Sequence, residues 1–295
     1  MKRLESWLFS PESAYPYAVI RIGVGLVAFL HLLFYAPYVV FFFSDEGFLP
    51  SRQLPVLVPE GWPLYFFWLA RSAAAVWCVY GLTLAASLAY AAGFKTRLTG
   101  PLLWLLLLSF IHRNVFVIDG IWNLLVAILT PLMLVDSGGV LSWDARGRKQ
   151  AATIDSWVGV VLRFQLGVTY VKSGFYKLMG SYWVKGTSLY YVLENPQWRR
   201  FDYGFWLDQG WVVAILAVVT VVTVWWELFF PLLVAIRPWR YYVLGFGVFL
   251  HGSQFITIDT SVFSLLLMTL YVAFLPPERV KEAARKLASR TRSAD

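Results

Sequence analysis

The residue whose type and place could do chemistry is Lys177. It lies in Val171-Lys172-Ser173-Gly174-Phe175-Tyr176-Lys177-Leu178-Met179-Gly180-Ser181-Tyr182-Trp183-Val184-Lys185-Gly186, which closes a long apolar segment. A lysine at membrane depth costs roughly 2.5 kcal/mol or more unless it faces protein or water. Its spacing leaves three readings open: an interfacial lysine snorkelling to the headgroups, a desolvated amine able to act as a base, or one half of a structural ion pair. Arg163, Tyr170 and Lys177 recur every seven residues, close to two helical turns, so they share one stripe of a helix. Ser173 and Gly174 continue that stripe, whereas Lys172 falls roughly 140° away at about 100° per residue. A polar stripe with a small-residue notch should face the interior of a bundle.

Other polar residues interrupt apolar runs elsewhere. His251 has Gln254 three residues on, hence on the same face. It reads either as a hydrogen-bonded packing histidine or as a proton carrier or substrate contact. Glu227 stands between Trp226 and Leu228 and must be neutral or paired; Arg21, Arg71 and Arg163 are its candidate partners. His112, Arg113, Asn114, Asp119 and Asn123 gather at one turn, where a solvated turn competes with a polar site. The three histidines fall on different apolar segments, and no metal-binding spacing, phosphate loop or nucleophile elbow is present.

These residues need apolar elements to position them, and the chain is made of little else. Of 295 residues, 59% are hydrophobic and 14% charged, against about 25% charged in soluble domains. With a mean hydropathy of +0.63 this is the composition of a polytopic membrane protein. The single cysteine, Cys78, excludes an intrachain disulfide framework. The expected fold class is all-α, a bundle of about eight spans: about 16–36, 64–92 (with Arg71 inside), 98–113, 119–135, 156–179 and 211–236, then two short helices within 241–275 that turn near Asp259-Thr260-Ser261. Pro37 and the aromatics up to Phe43 should end the first span. Residues 181–210 are too polar to span and read as a surface-lying interfacial helix and loop. Residues 1–275 form one transmembrane domain and 276–295 a basic amphipathic tail suited to an anionic leaflet.

The basic residues distribute unevenly among the loops. Lys2/Arg3, Lys95/Arg97, Arg146/Arg148/Lys149, Arg237/Arg240 and the tail fall on one side of such a bundle, and the acidic loop 44–62 falls on the other. Loop 181–210, with Lys185, Arg199 and Arg200, is the exception on that second side; the positive-inside rule then sets both termini in the cytoplasm. No cleaved signal peptide is expected, because Met1-Lys2-Arg3-Leu4-Glu5-Ser6-Trp7 leads into no short hydrophobic core with a cleavage site. The net charge of +8 is explained by loops and tail, so the expected partners are membrane lipids and not nucleic acid.

The pattern Gly174-x-x-Lys177-Leu178 followed by Trp183-x-x-Gly186 resembles the lysine motif of the vitamin K-dependent gamma-carboxylases and of bacterial horizontally transferred transmembrane (HTTM) domain proteins. Arg21, the Ser44-Asp45-Glu46-Gly47-Phe48-Leu49-Pro50 loop, Asp119-x-x-Trp122-Asn123, and His251-x-Ser253-Gln254 with Phe263-Ser264 add to the likeness, which covers about residues 10–275. The resemblance implies that Lys177 is the base that deprotonates a quinol, reduced vitamin K or menaquinol, and that His251 lines its pocket. Tyr170, Gln254, Asn123 and Trp183 complete the candidate substrate-binding set. Two departures weigh against full carboxylation of a protein glutamate. The run here is Trp122-Asn123-Leu124-Leu125, without the histidine that the carboxylases carry, and the chain ends soon after its last span. The reduced domain also resembles membrane proteins that help mature secreted bacterial toxins.

The sequence therefore carries two leading expectations for a protein of the bacterial inner membrane. One is a quinol-dependent modifying enzyme, carboxylase- or epoxidase-like, with Lys177 as base. The other is a non-catalytic scaffold or maturation partner for a secreted peptide. A transporter ranks last, since the chain shows no internal repeat.

Overall fold

A backbone that runs through apolar surroundings has to bond to itself, and the helix is the local way to do so. The computed structural model describes residues 2–54, 70–147, 153–259 and 262–292, and these are mostly helical. The helices are α1 (Lys2–Leu8), α2 (Tyr15–Tyr35), α3 (Val39–Phe43), α4 (Ala73–Ala92), α5 (Thr96–Arg113), α6 (Gly120–Met133), α7 (Trp157–Met179), α8 (Ser181–Val184), α9 (Ser188–Glu194), α10 (Gly204–Leu207), α11 (Gly210–Ala235), α12 (Arg237–Thr257), α13 (Phe263–Leu270) and α14 (Pro277–Arg292). A two-stranded antiparallel sheet, β1 (Pro11–Ser13) with β2 (Thr153–Asp155), is a small exception to the all-α expectation. Three described helical stretches are long and apolar enough to cross a bilayer: Tyr15–Phe43, Ala73–Ala92 and Gly210–Ala235. They become four if Phe263–Phe274 and Pro277–Leu287 count as one span.

The chain divides into two compact units, and the division falls inside α7. Unit 1 holds residues 1–162 and 275–295. Its core lies among α2, α4, α5 and α6, filled by Val24, Ala28, Leu32, Val76, Leu103, Phe110, Trp122 and Leu125. Hydroxyls buried there bond back to their own helix, Thr83 to Val79 O at 2.7 Å and Ser109 to Leu105 O at 2.7 Å, so no water is required. Ser72 caps α4, and Gly93 at φ 71° ends it in the left-handed conformation that glycine tolerates best. The Asp144 carboxylate accepts from Lys95 N and Thr96 N, both at 2.8 Å, and closes the start of α5. The tail helix α14 packs against α2 and β1.

Several sequence expectations need correction in this unit. Helix α2 ends at Tyr35, just before Pro37, as expected, but the apolar stretch does not stop there. Pro37 sits in a 3-10 turn, Ala36–Tyr38, and α3 carries the stretch on to Phe43, where the expected aromatic run closes it; proline is accommodated at the first turn of a helix, where its missing N–H is no loss. Arg71 is not inside the second span. It precedes the Ser72 cap and is exposed, and its carbonyl accepts from Asp45 N at 2.9 Å. Residues 64–69 of that expected span lie outside the described residues, as do Arg148 and Lys149 of the following basic loop.

Unit 2 holds residues 163–274. Helix α11 is its axis: α8, α9, α10 and α12 all pack on it, and α13 packs on α12. Gly186 lies against Ala217, with an added Cβ 3.2 Å from the Ala217 carbonyl, and Leu189 N donates to Thr220 Oγ1 at 3.4 Å. Residues 181–209 are thus three short helices laid along the first half of α11, where the sequence suggested one. The apolar run 241–275 is two helices, as expected, but only α13 is short: α12 begins at Arg237, inside the expected basic turn, and runs for 21 residues; Thr260 and Ser261 of the turn between them lie outside the described residues.

Candidate functional site

The stripe expected on α7 is present in unit 2, and it meets side chains from three other elements. Its outer turn carries Lys177. The Nζ atom lies 2.5 Å from Oε1 and 2.6 Å from Oε2 of Glu227 on α11, and it donates to Ser173 Oγ one turn back at 3.0 Å. The face of the Trp183 ring is 4.8 Å from the same nitrogen. The Lys177 and Glu227 side chains are 17% and 5% exposed, so two opposite charges are withdrawn from solvent together. Gly174 makes this approach possible: a Cβ there would stand 2.8 Å from Leu228 Cγ and 3.1 Å from its backbone nitrogen.

Two turns earlier, the Tyr170 hydroxyl makes a second polar centre. It is 2.7 Å from His251 Nε2 on α12 and 2.5 Å from the hydroxyl of Tyr271, which follows α13. His251 Nδ1 is in turn 3.2 Å from Gln254 Oε1. Trp226 and Phe230 of α11 wall this centre, their ring centroids 4.9 and 4.5 Å from that of Tyr170. The Trp226 Nε1 donor is buried beside it without a partner, and Gly247 leaves the room that the Tyr271 phenol occupies.

Lys177, Tyr170, His251, Gln254 and Trp183 therefore fall in one unit, with Lys177 and Trp183 at one centre and the other three at the next. Asn123 belongs to the other unit, where it is exposed and its amide donates to Asp119 O at 3.4 Å. Sequence reasoning missed two members. The partner of Glu227 is Lys177 and none of the three arginines named as candidates: Arg163 donates to Ala273 O at 3.1 Å and Arg21 to Leu141 O at 2.7 Å, while Arg71 precedes its helix. A buried acid and a buried amine in separate apolar runs were themselves the available signal. Tyr271 gave none, being a neutral phenol in an apolar run.

The turn near Asn123 is not simply solvated. Arg113 and Asn114 are fully buried in unit 1. Arg113 donates to Leu49 O at 2.7 Å and to Asp45 Oδ1 at 3.1 Å, and Asn114 donates to Phe42 O at 2.8 Å. These bonds pin the 44–50 loop. His31 lies edge-on to Trp122 and Tyr35, at 4.8 and 5.3 Å between centroids. Among the described residues no group of three His, Cys, Asp or Glu could hold a metal ion.

The profile of the HTTM domain family matches residues 62–278, well over half of the chain. A protein of Bacillus subtilis (strain 168) named "Uncharacterized protein YitO" is 24% identical over 198 residues, 63% of this chain and 62% of that relative. The chain thus spans less than two thirds of the length of the curated relative it matches. No solved structure matches.

Proposed function

The chain belongs to the HTTM domain family and is a membrane protein; from that premise we propose that it binds a lipid-soluble quinol in the bacterial inner membrane and takes a proton from it through Lys177. The proposal includes about eight spans, both termini in the cytoplasm, residues 1–275 as the membrane domain and 276–295 as a basic helix at an anionic leaflet. The placement of basic loops supports that orientation, and the lengths of α7 and α12, roughly 35 and 32 Å at about 1.5 Å per residue, support two further crossings.

One observation carries the proposal: Lys177 and Glu227 meet inside a bundle with both Oε atoms on one Nζ. Two charges held out of water are costly. Moving one proton from Nζ to Glu227 neutralises both at once and leaves Nζ with a free lone pair. Nζ then takes a proton from a ligand hydroxyl, and the ammonium so formed stands beside a neutral Glu227, which does not repel negative charge left on the ligand. The Trp183 face and Ser173 Oγ hold Nζ in place during the exchange. A quinol bound there would supply the acidic phenolic hydroxyl. The Trp226 Nε1 donor, buried without a partner and next in sequence to Glu227, supports a ligand oxygen there.

The test is mass spectrometry of quinones retained by the purified protein. Wild type should keep a quinone or quinol, and Lys177→Ala and Glu227→Gln should lose it at unchanged membrane abundance. Equal retention in all three refutes the proposal. A second reading, a non-catalytic scaffold or maturation partner for a secreted peptide, is favoured by the same ion pair, since an amine already neutralised by a carboxylate also suits a structural role. It expects function to survive Lys177→Arg, which keeps the charge and gives up an easily lost proton.

A further inference from the structure

Unit 1 carries a polar feature that the quinol reading does not use. Helix α4 is apolar enough to cross a bilayer, and its 20 residues extend about 30 Å at about 1.5 Å per residue, the thickness of the hydrocarbon layer. The chain that follows, Gly93 to Leu98, therefore emerges at the level of the lipid headgroups. An exposed aromatic pair suits that level: the Phe94 and Trp143 rings stand edge to face, 6.5 Å between centroids. The residues next to both rings line an open cavity of about 330 Å³, formed by Lys95, Thr96, Arg97, Leu98, Asp136 and Asp144. That volume is within the roughly 300–1,000 Å³ of small-ligand sites. The lining is tied together. Besides the two backbone N–H groups of Lys95 and Thr96, Asp144 accepts from Thr96 Oγ1 at 2.9 Å, and Gly138 presses on Thr96 so closely that a Cβ would collide with its hydroxyl. Behind this turn the Arg21 guanidinium is fully buried. Its Nη2 donates to Leu141 O, but Nε and Nη1 have no partner. Nη1 lies against Gly93, where a Cβ would strike it, and its charge acts on Asp144 and Asp136.

The charges around the cavity divide by role. Asp144 is engaged by the start of α5 and backed by Arg21. The exposed Lys95 and Arg97 then supply positive charge to one part of the lining, and the half-buried Asp136 supplies negative charge to another. A cavity of mixed sign suits a ligand that carries both signs, and at the surface of a bilayer that ligand is a zwitterionic headgroup. We propose that this cavity binds the headgroup of a phosphatidylethanolamine-type phospholipid. Lys95 and Arg97 take the phosphodiester, Asp136 takes the primary ammonium, and the exposed side chains of Leu98 and Phe94 meet the first carbons of the acyl chains. Phosphatidylglycerol offers Asp136 no cation. Phosphatidylcholine offers a cation with no N–H to donate. The site concerns the lipid that surrounds the protein, so it stands apart from the Lys177–Glu227 pair and from any quinol.

Native mass spectrometry of the full-length protein in detergent tests this, with phosphatidylethanolamine, phosphatidylglycerol and phosphatidylcholine of identical acyl chains added in turn. Wild type should hold one phosphatidylethanolamine in preference to either of the others by about threefold to fivefold, the size of one exposed ion pair. Asp136→Asn should remove the preference over phosphatidylglycerol. The double variant Lys95→Gln with Arg97→Gln should lower binding of all three lipids, because each shares the phosphodiester; both side chains are exposed, so it remains a test if Asp136→Asn fails to fold. Wild type that shows no preference for phosphatidylethanolamine overturns the proposal. So does a preference that survives Asp136→Asn, or lipid binding that is unchanged in the double variant. Inorganic phosphate at the same concentration should leave the bound lipid in place; displacement by it would mark a site for a free anion and overturn the headgroup assignment.

Discussion

Breaking the Lys177–Glu227 pair from one side at a time exposes what each charge costs alone. Lys177→Met keeps the length of the side chain and removes the charge. It strands the Glu227 carboxylate, 5% exposed, in an apolar bundle. Removing one partner of a buried pair costs about 3–5 kcal/mol. Because Lys177 itself keeps 17% exposure, part of that charge is already solvated, and the expectation is about 3 kcal/mol. Glu227→Leu leaves the ammonium with Ser173 Oγ and the Trp183 face, so its loss should be smaller, about 2 kcal/mol. The double variant Lys177→Met with Glu227→Leu strands neither group and should return close to wild-type stability, because apolar replacement of a whole buried pair is often neutral. With single losses of about 3 and about 2 kcal/mol and a double loss near zero, the cycle should give a coupling energy of about 5 kcal/mol, read from unfolding of the detergent-solubilised protein followed by tryptophan fluorescence. Single losses within about 0.5 kcal/mol that simply add in the double variant would refute the pairing, and with it the proton exchange built on that pairing.

Three further variants probe the geometry around that pair. Gly174→Ala places a methyl group 2.8 Å from Leu228 Cγ and should cost about 1–3 kcal/mol by forcing α7 from α11, measured by the same unfolding assay; an unchanged midpoint would contradict the close approach. Arg113→Met removes the donor to Leu49 O and Asp45 Oδ1 and should cost about 2–3 kcal/mol, with faster protease cleavage of the 44–54 loop as the local sign. In a Cys78→Ser background, Val184→Cys should resist a membrane-impermeant maleimide although its side chain is 59% exposed on the protein, while Gln197→Cys should react. Equal labelling of the two would return residues 181–194 to the membrane surface.

The helices were legible where punctuation was local. Asp119 announces α6 and caps it, the Gly93–Lys95 turn separates α4 from α5, and the charges around 155 and 180 bracket α7. Errors arose where a local signal met a non-local partner. Arg113 and Asn114 looked like residues of a wet turn because their neighbours are polar, yet the carbonyls of Phe42 and Leu49 take them inside. Arg71 looked intramembrane because the apolar run on both sides of it is long, but Ser72 starts a new helix just after it. At the candidate site, the stripe of Tyr170, Ser173 and Lys177 follows from helical spacing alone. Its pairing with Glu227, His251 and Tyr271 depends on how four elements pack, and no periodicity within one element encodes that.

The depth of Lys177 shows how two local readings are reconciled only by a contact. Taken along α7, the lysine is near the helix end, which suits an interfacial residue reaching for headgroups. Taken along α11, Glu227 lies about 25 Å from the Gly210 end at about 1.5 Å per residue, beyond a stretch, Trp211 to Trp226, that holds no charged residue. A pair joined at 2.5 Å must share one depth. If that depth were the interface, some 24 Å of apolar helix, again at about 1.5 Å per residue, would project into water. At about 25 cal/mol per Å² of apolar surface, so much exposure outweighs the cost of burying one neutralised amine. Beyond Lys177 the chain turns at Gly180 and continues along α11 through Gly186 and Leu189, so the ion pair meets well inside the length of α11 and not at its end. There the carboxylate, the Ser173 hydroxyl and the Trp183 face surround the amine, and moving one proton from Nζ to Glu227 is the change that removes both buried charges at once.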